Sequence, residues 1–364
     1  MIFHYLYLTL FCVIAATFFD EKVVARGQQI RFWQTLLFIF LVQITVLYVF
    51  RDIRTDTFRY VTRLHTYAEQ DLVFTLFNGG KEFGFTLLTW CFAHLGLGDR
   101  TYLFVVFWLG LLPFVQALKR LYGQGWGYML LVYAMFPFFI SYFASGLRQA
   151  VSMAIGYWVV VNYFAHRRVI FATVGLLIAS LFHVSSLVIL PILLGMHAFE
   201  KTLSLSRVLM IWVGVVCISM LGLNEQLLGF MSGFFDEGSR YQYYIDQDKI
   251  SQIQAQMNYR TGFRWDFTLF SIIPVLYVLY FERRAGIDLW LLKFYLLLNC
   301  AFQLMSFTPS NDRFAALSWF YIPTLLVHSQ FYSRMWASSK AAYYVLLASG
   351  LGLLVLFNNR YFAA

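Results

Sequence analysis

Charge is what this sequence is short of. Asp, Glu, Lys and Arg make up 12% of its 364 residues, against roughly 25% in an ordinary soluble domain, while 60% are hydrophobic. With apolar runs close to 18 residues recurring along the chain, that shortage excludes a large water-soluble domain and points to a polytopic α-helical membrane protein. Cysteine is scarce as well. Cys12, Cys91, Cys217 and Cys300 all lie in apolar segments. None has metal-ligand spacing and no disulfide framework is visible, so they read as small buried side chains. A phosphate-cradling G-x-x-x-x-G-K-[ST] loop is missing too. "NGGKEFG" (Asn78 to Gly84) has glycines and a lysine in the wrong order, which argues against ATP-driven work.

What is present is a series of apolar segments, near 2–18, 32–50, 101–118, 126–143, 149–165, 169–182, 185–199, 208–223, 267–281, 288–306, 314–330 and 341–357. They predict an all-α fold of about 12 transmembrane helices forming one membrane domain, residues 1–364. The first segment has no positive residue before it and reads as a retained span rather than a secretory signal. One set of connectors is short and basic: Lys22, Arg26 and Arg31; Lys119 and Arg120; Arg167 and Arg168; Lys201 and Arg207; Arg283 and Arg284; Arg334 and Lys340. The positive-inside rule places these in the cytoplasm. The other connectors, 51–100, 144–148, the turn at His183, 224–266 and 307–313, then face outward. Parity holds only if "FGFTLLTWCFAHLGLG" (Phe83 to Gly98) does not cross; it is short for a span and is expected to be re-entrant or interfacial.

The outward connectors carry mostly arginine: Arg51, Arg54, Arg59, Arg63, Arg100, Arg148, Arg240, Arg260, Arg264 and Arg313, against Lys81 and Lys249. Arginine offers a planar fork matched to phosphate and carboxylate, so this face reads as an anion site. The competing reading is that these arginines pair with the outer acids Asp52, Asp56, Glu82 and Asp266. Arg148 opens a helix after Ser145 and Gly146, where a bare cation is disfavoured unless an anion joins it. Gln149 adds donors, and Ala150, Ser152, Ala154 and Gly156 form a small face for close packing. Arg313 repeats the arrangement, with Ser310, Asn311 and Asp312 as capping candidates and Tyr321 two turns on. Arg264 and Asp266 stand at the start of another span. His183 is a proton-carrier candidate. Asp56 or Glu82 is a general-base candidate, with Arg54 and Tyr60 nearby. The loops 51–100 and 224–266 are expected to cover the site. The aromatics of the later loop suit either sugar stacking or an interfacial belt. Its "DQD" (Asp246 to Asp248) is a weak metal signal, and metal-independent chemistry is expected.

"RTDTFRY" with "EFGF" downstream, "GLRQAV", "LFHVSSLVILP", "GFRWDF" and "NDRF", in this order from Arg51 to Tyr321, resemble the EpsG family. Those are Wzy-like polymerases of bacterial exopolysaccharide, capsule or O-antigen. The resemblance implies a glycosyltransferase C-like protein of the bacterial inner membrane with its site facing the periplasm. It implies transfer of a growing chain from undecaprenyl diphosphate to the next lipid-linked oligosaccharide unit. The partners it implies are lipid-linked donor and acceptor, membrane lipid and a chain-length regulator protein, with no nucleic acid and no cofactor. On this reading Arg148 and Arg313 hold the donor diphosphate, Arg264 and Arg54 assist, and Asp56, Glu82 or His183 takes the acceptor proton. Direct attack at the anomeric carbon would invert its configuration. The alternatives are a flippase or transporter of a lipid-linked saccharide, which would use the same arginines without breaking a bond, and a non-catalytic scaffold of an export complex. A transporter should show internal repeats and polar residues near the midplane. No clear repeat is visible, and Lys293 is the partial exception to charges gathered at one face.

Overall fold

The structure is a computed structural model that describes residues 28–79, 82–123, 126–229, 262–285, 289–308 and 311–331. The expected spans at 2–18 and 341–357, Lys81, and the "DQD" of the later loop lie outside these residues. The described residues are helical, with no strand among them. The chain divides into two compact units, the first running to Leu187 and the second from Val188.

The first unit holds α1 (Gln28–Phe50), α2 (Thr55–Tyr67), α3 (Leu72–Asn78), α4 (Phe83–His94), α5 (Asp99–Tyr122), α6 (Trp126–Met135), α7 (Pro137–Ala144), α8 (Leu147–His166) and α9 (Val169–Phe182). At its centre α5 packs on α8, and α8 on α9. Among the described residues α5 is the one helix long and apolar enough to cross a bilayer. Asp99 in its first turn and Lys119 and Arg120 in its last complement the helix dipole. The small face of α8 does what its composition suggests: Ala150, Ser152, Ala154 and Gly156 are all buried. At the close approach of α5, a Cβ added to Gly110 would sit 3.1 Å from the Phe143 ring and 3.5 Å from Val151 Cα.

Three of the expected spans are interrupted. The segment 126–143 breaks at Phe136, because Pro137 lacks an N–H and holds the preceding residue extended (φ −76°, ψ 127°). The segment 185–199 begins as a 3-10 turn, Val184–Val188, before α10 (Ile189–Ala198). The segment 314–330 forms α15 (Asp312–Trp319) and α16 (Ile322–Phe331), after α11 (Leu205–Met220), α12 (Leu223–Gly229), α13 (Trp265–Ala285) and α14 (Trp290–Leu304). Pro323 cannot donate to the carbonyl four residues back. The chain tightens there, and Tyr321 N–H bonds the Ser318 carbonyl at 3.0 Å.

In the second unit, α14 packs against α11, α15 and α10, and α13 against α16. A chain of neutral polar groups runs inside it. Trp212 Nε1 donates to Asn299 Oδ1 (2.8 Å), whose Nδ2 reaches Ser271 Oγ (3.0 Å) and Ser318 Oγ (3.2 Å). Trp319 Nε1 also donates to Ser271 Oγ (2.8 Å), and Gln303 Nε2 donates to Thr268 Oγ1 (3.1 Å). Asn224 Nδ2 and Ser219 Oγ both meet Ser306 Oγ, at 3.1 and 2.7 Å. Lys293, on the same helix as Asn299, donates to the Leu203 carbonyl at 3.2 Å.

Candidate functional site

The inward face of α2 is set by its spacing. Thr57, Tyr60, Val61 and Leu64 are buried, while Arg59 points to the surface. Tyr60 packs on Phe85 of α4 (ring centroids 5.3 Å apart) within an apolar cluster that includes Leu64, Tyr102, Leu147 and Val151. Glu82 is the residue immediately before α4, and its side chain caps no backbone N–H of that helix. Two residues on, a Cβ on Gly84 would lie 2.8 Å from Leu181 Cβ and 3.1 Å from the Leu181 carbonyl. Glycine there lets the head of α4 lie against the end of α9, and so brings Glu82 beside His183.

Arg148, at the head of α8, closes the group. Its Nη1 bonds and ion-pairs with Glu82, its Nε donates to Tyr60 Oη at 3.3 Å, and its guanidinium lies 5.4 Å over the Tyr60 ring. His183 ends α9 in an extended conformation, and its Nε2 is 3.8 Å from Glu82 Oε1. The His183 Nδ1 accepts the Ser185 backbone N–H at 3.2 Å and lies 2.8 Å from Ser185 Oγ. In a neutral ring the proton is therefore on Nε2, facing the carboxylate. Ser152 Oγ donates to the Ala179 and His183 carbonyls (2.9 and 3.1 Å), fixing the end of α9 on α8. Glu82 and His183 keep 15% and 12% side-chain exposure, enough for a ligand atom to reach them. Gln149, beside Arg148, is buried.

The remaining outer arginines of this unit are differently engaged. Arg54 pairs with Asp52 at 2.8 Å and Arg59 with Asp56 at 3.2 Å, with both arginines exposed. Asp56 is thus on α2 as expected but among surface charges. Arg51 is buried against the Tyr48 and Ala144 carbonyls and Thr57 Oγ1. Burial pushes its guanidinium down to about 10, still protonated at neutral pH. Arg100 donates to the Val49 and Arg51 carbonyls at 2.7 and 2.8 Å. These two cations are spent on backbone carbonyls near the end of α1 rather than presented as anion ligands, a correction to the expected set.

In the second unit Arg264 forms a two-pronged pair with Asp266 (2.8 and 2.5 Å) and lies 4.0 Å over the Phe267 ring. Hydrogen bonding to Arg264 holds the Asp266 carboxyl below its ordinary value. The Ser306 carbonyl accepts both Gly262 N–H (3.1 Å) and Asn311 Nδ2 (2.7 Å). The segments leading into α13 and α15 are tied at that one oxygen. Asn311 is the residue before α15, yet its side chain makes this bond instead of capping. Arg313 follows, exposed. Tyr321 does not continue one helix face from Arg313: it sits in the break, buried, with its ring 5.2 Å from Phe294. Among the described residues no group of three or more His, Cys, Asp or Glu gathers as metal ligands would.

All four acids weighed as arginine partners are so paired, and Tyr60, Glu82, Arg148 and His183 converge within the first unit. Thr57, Ser185, Asn224, Ser271 and Ser306 were missed, as was the hydrogen-bonding role of Ser152. The polar positions Asn299 and Gln303, one turn apart in the apolar second half of α14, are the signal that could have found the second unit's interior chain.

A chain whose described residues form apolar helices around a half-buried acid–base–guanidinium cluster fits a membrane-type transferase. The family model described as the EpsG family matches residues 33–364, and the chain belongs to the EpsG family. With that membership comes a polysaccharide-polymerase-like, glycosyltransferase-like role, in a family whose members are typically membrane proteins. No curated protein and no solved structure gives a match.

Proposed function

We propose that this chain polymerises undecaprenyl-diphosphate-linked oligosaccharide repeat units at the periplasmic face of the bacterial inner membrane. About 12 spans hold it there, and the growing chain passes to the next lipid-linked unit. The observation that carries this reading is the convergence of Tyr60, Glu82, Arg148 and His183 in a chain of the EpsG family. Glu82 takes the proton of the acceptor hydroxyl, with His183 Nε2 beside it. The hydroxyl oxygen attacks the anomeric carbon, the bond from that carbon to the diphosphate oxygen breaks, and configuration inverts. Arg148 steadies the charge that develops on the leaving diphosphate. Its pairing with Glu82 neutralises both groups. Asp56 is the weaker base candidate because it faces water with Arg59. In the second unit, Arg264 and Arg313 are diphosphate-binding candidates at the heads of their helices. The chemistry is proposed to need no metal, and a chain-length regulator is the proposed protein partner.

The reading is tested by reconstituting the purified full-length protein with a lipid-diphosphate-linked repeat unit and resolving products on a gel. A ladder of chain lengths is expected. Retention of ladder formation in EDTA is expected as well; loss that Mg²⁺ restores would overturn metal independence. The buried amides and hydroxyls of the second unit favour a second reading, a transporter of the same lipid-linked saccharide. It predicts substrate movement across the bilayer with no lengthening.

A further inference from the structure

Arg51 is a cation with 9% exposure whose fork holds three neutral oxygens on separate segments: the Tyr48 carbonyl of α1, the Ala144 carbonyl that ends α7, and Thr57 Oγ1 of α2. Helix C-termini leave carbonyls without intrahelical donors and favour positive charge. Thr57 completes the clamp by donating its hydroxyl to the same Ala144 carbonyl at 2.9 Å. From this point the chain leads to the candidate site along two paths. One turn along α2 on the same buried face stands Tyr60. On the other side, Ser145 and Gly146 lead directly from Ala144 into α8, whose second residue is Arg148. The contact made at the far end of both paths is Tyr60 with Arg148, by hydrogen bond and by ring stacking. Arg100 secures the third party, holding the Val49 and Arg51 carbonyls from the head of α5.

We propose that Arg51 is a positioning residue: its fork, with Thr57, locks α2 to the junction of α7 and α8 so that Tyr60 holds Arg148 in the orientation that meets Glu82. The proposal rests on reading that cluster as the reaction centre. A lysine keeps the charge but supplies one point rather than a planar fork, and cannot hold three oxygens in the same geometry.

The test has two arms. In thermal unfolding of the full-length protein in detergent, Arg51→Lys, Glu82→Gln and the double variant form a cycle. If Arg51 positions the cluster, the Tm loss of the double variant falls short of the sum of the single losses by roughly 2–4 °C or more. Additive losses overturn the proposal. In the reconstituted polymerisation assay, Arg51→Lys should lower the turnover of the folded protein by about 10- to 100-fold, as a misplaced reacting group does. Thr57→Val should lower it in the same direction, and Thr57→Ser, which keeps the hydroxyl, should restore it. Turnover at the wild-type rate in Arg51→Lys, or equal loss in Thr57→Ser and Thr57→Val, overturns the proposal. Wild-type ladders from both Arg148→Lys and Glu82→Gln would sink the reaction-centre reading separately, and with it the assignment of Arg51 to the reaction, even where the Tm cycle showed coupling.

Discussion

At the scale of the residue, Arg148 combines three contacts that a lysine cannot reproduce together: the Glu82 bond, the Tyr60 hydroxyl and the Tyr60 ring. Arg148→Lys preserves charge and membrane topology, yet should cost roughly 10²–10³ in polymerisation rate. Asp56→Asn should leave activity near the wild-type level, since it removes an exposed pair with Arg59. Equal loss in the two variants would move the base to Asp56. Asp266 offers a pH signature. Its carboxyl is held below the ordinary 3.8 by Arg264, so its contribution to stability is complete above that value and fades as pH falls through its lower folded value. Its side chain is 60% exposed, so the contribution is small. Asp266→Asn should therefore lower Tm slightly at pH 6 and converge with wild type as pH falls through the lowered folded value; a gap that widens on acidification would contradict the pairing. Glu82, Arg148 and His183 were legible in the sequence as polar groups beside apolar runs, and Tyr60 by its helical spacing from Asp56. Arg51 was not, because a cation committed to carbonyls looks the same in one dimension as a cation waiting for an anion.

At the scale of the element, α4 spans 12 residues, or about 18 Å at 1.5 Å per residue, against a hydrocarbon core of about 30 Å. It ends with Gly96 at φ +64° and the Leu97 N–H on the Phe92 carbonyl, a glycine-stopped helix terminus. The segment Phe83 to Gly98 should thus keep both ends on one side of the membrane. Single cysteines replacing Asn78 and Gly98, both exposed, in a background without the native cysteines should both react with an impermeant outer reagent; reaction of one alone would overturn the topology. Helix existence was readable from apolar runs, but the breaks before Pro137 and Pro323 were not. A run of hydrophobic residues reports burial, whereas a missing N–H acts on the backbone ladder. In α14, Asn299 serves Trp212, Ser271 and Ser318 at once. Asn299→Ala leaves buried groups unpaired and should cost about 3 kcal/mol, read as a clear fall in Tm; an unchanged Tm would mean the chain of bonds carries no stability.

At the scale of the whole molecule, composition was enough for the helical fold of the described residues, and the order of short motifs was enough for the family. The grouping of residues was less visible. Arg148 and Arg313 look alike in sequence, each at the head of a helix, but they fall in different compact units. Arg148 is half-buried beside an acid and a histidine, while Arg313 is exposed. The central claim is that Glu82, held between Arg148 and His183, is where a polysaccharide chain is lengthened. The direct measurement is the product ladder made by purified full-length protein in lipid vesicles from a lipid-diphosphate-linked repeat unit, wild type beside Glu82→Gln. The account predicts a ladder from wild type and unextended repeat unit alone from a folded Glu82→Gln protein. A Glu82→Gln ladder equal in length and rate to wild type would contradict it.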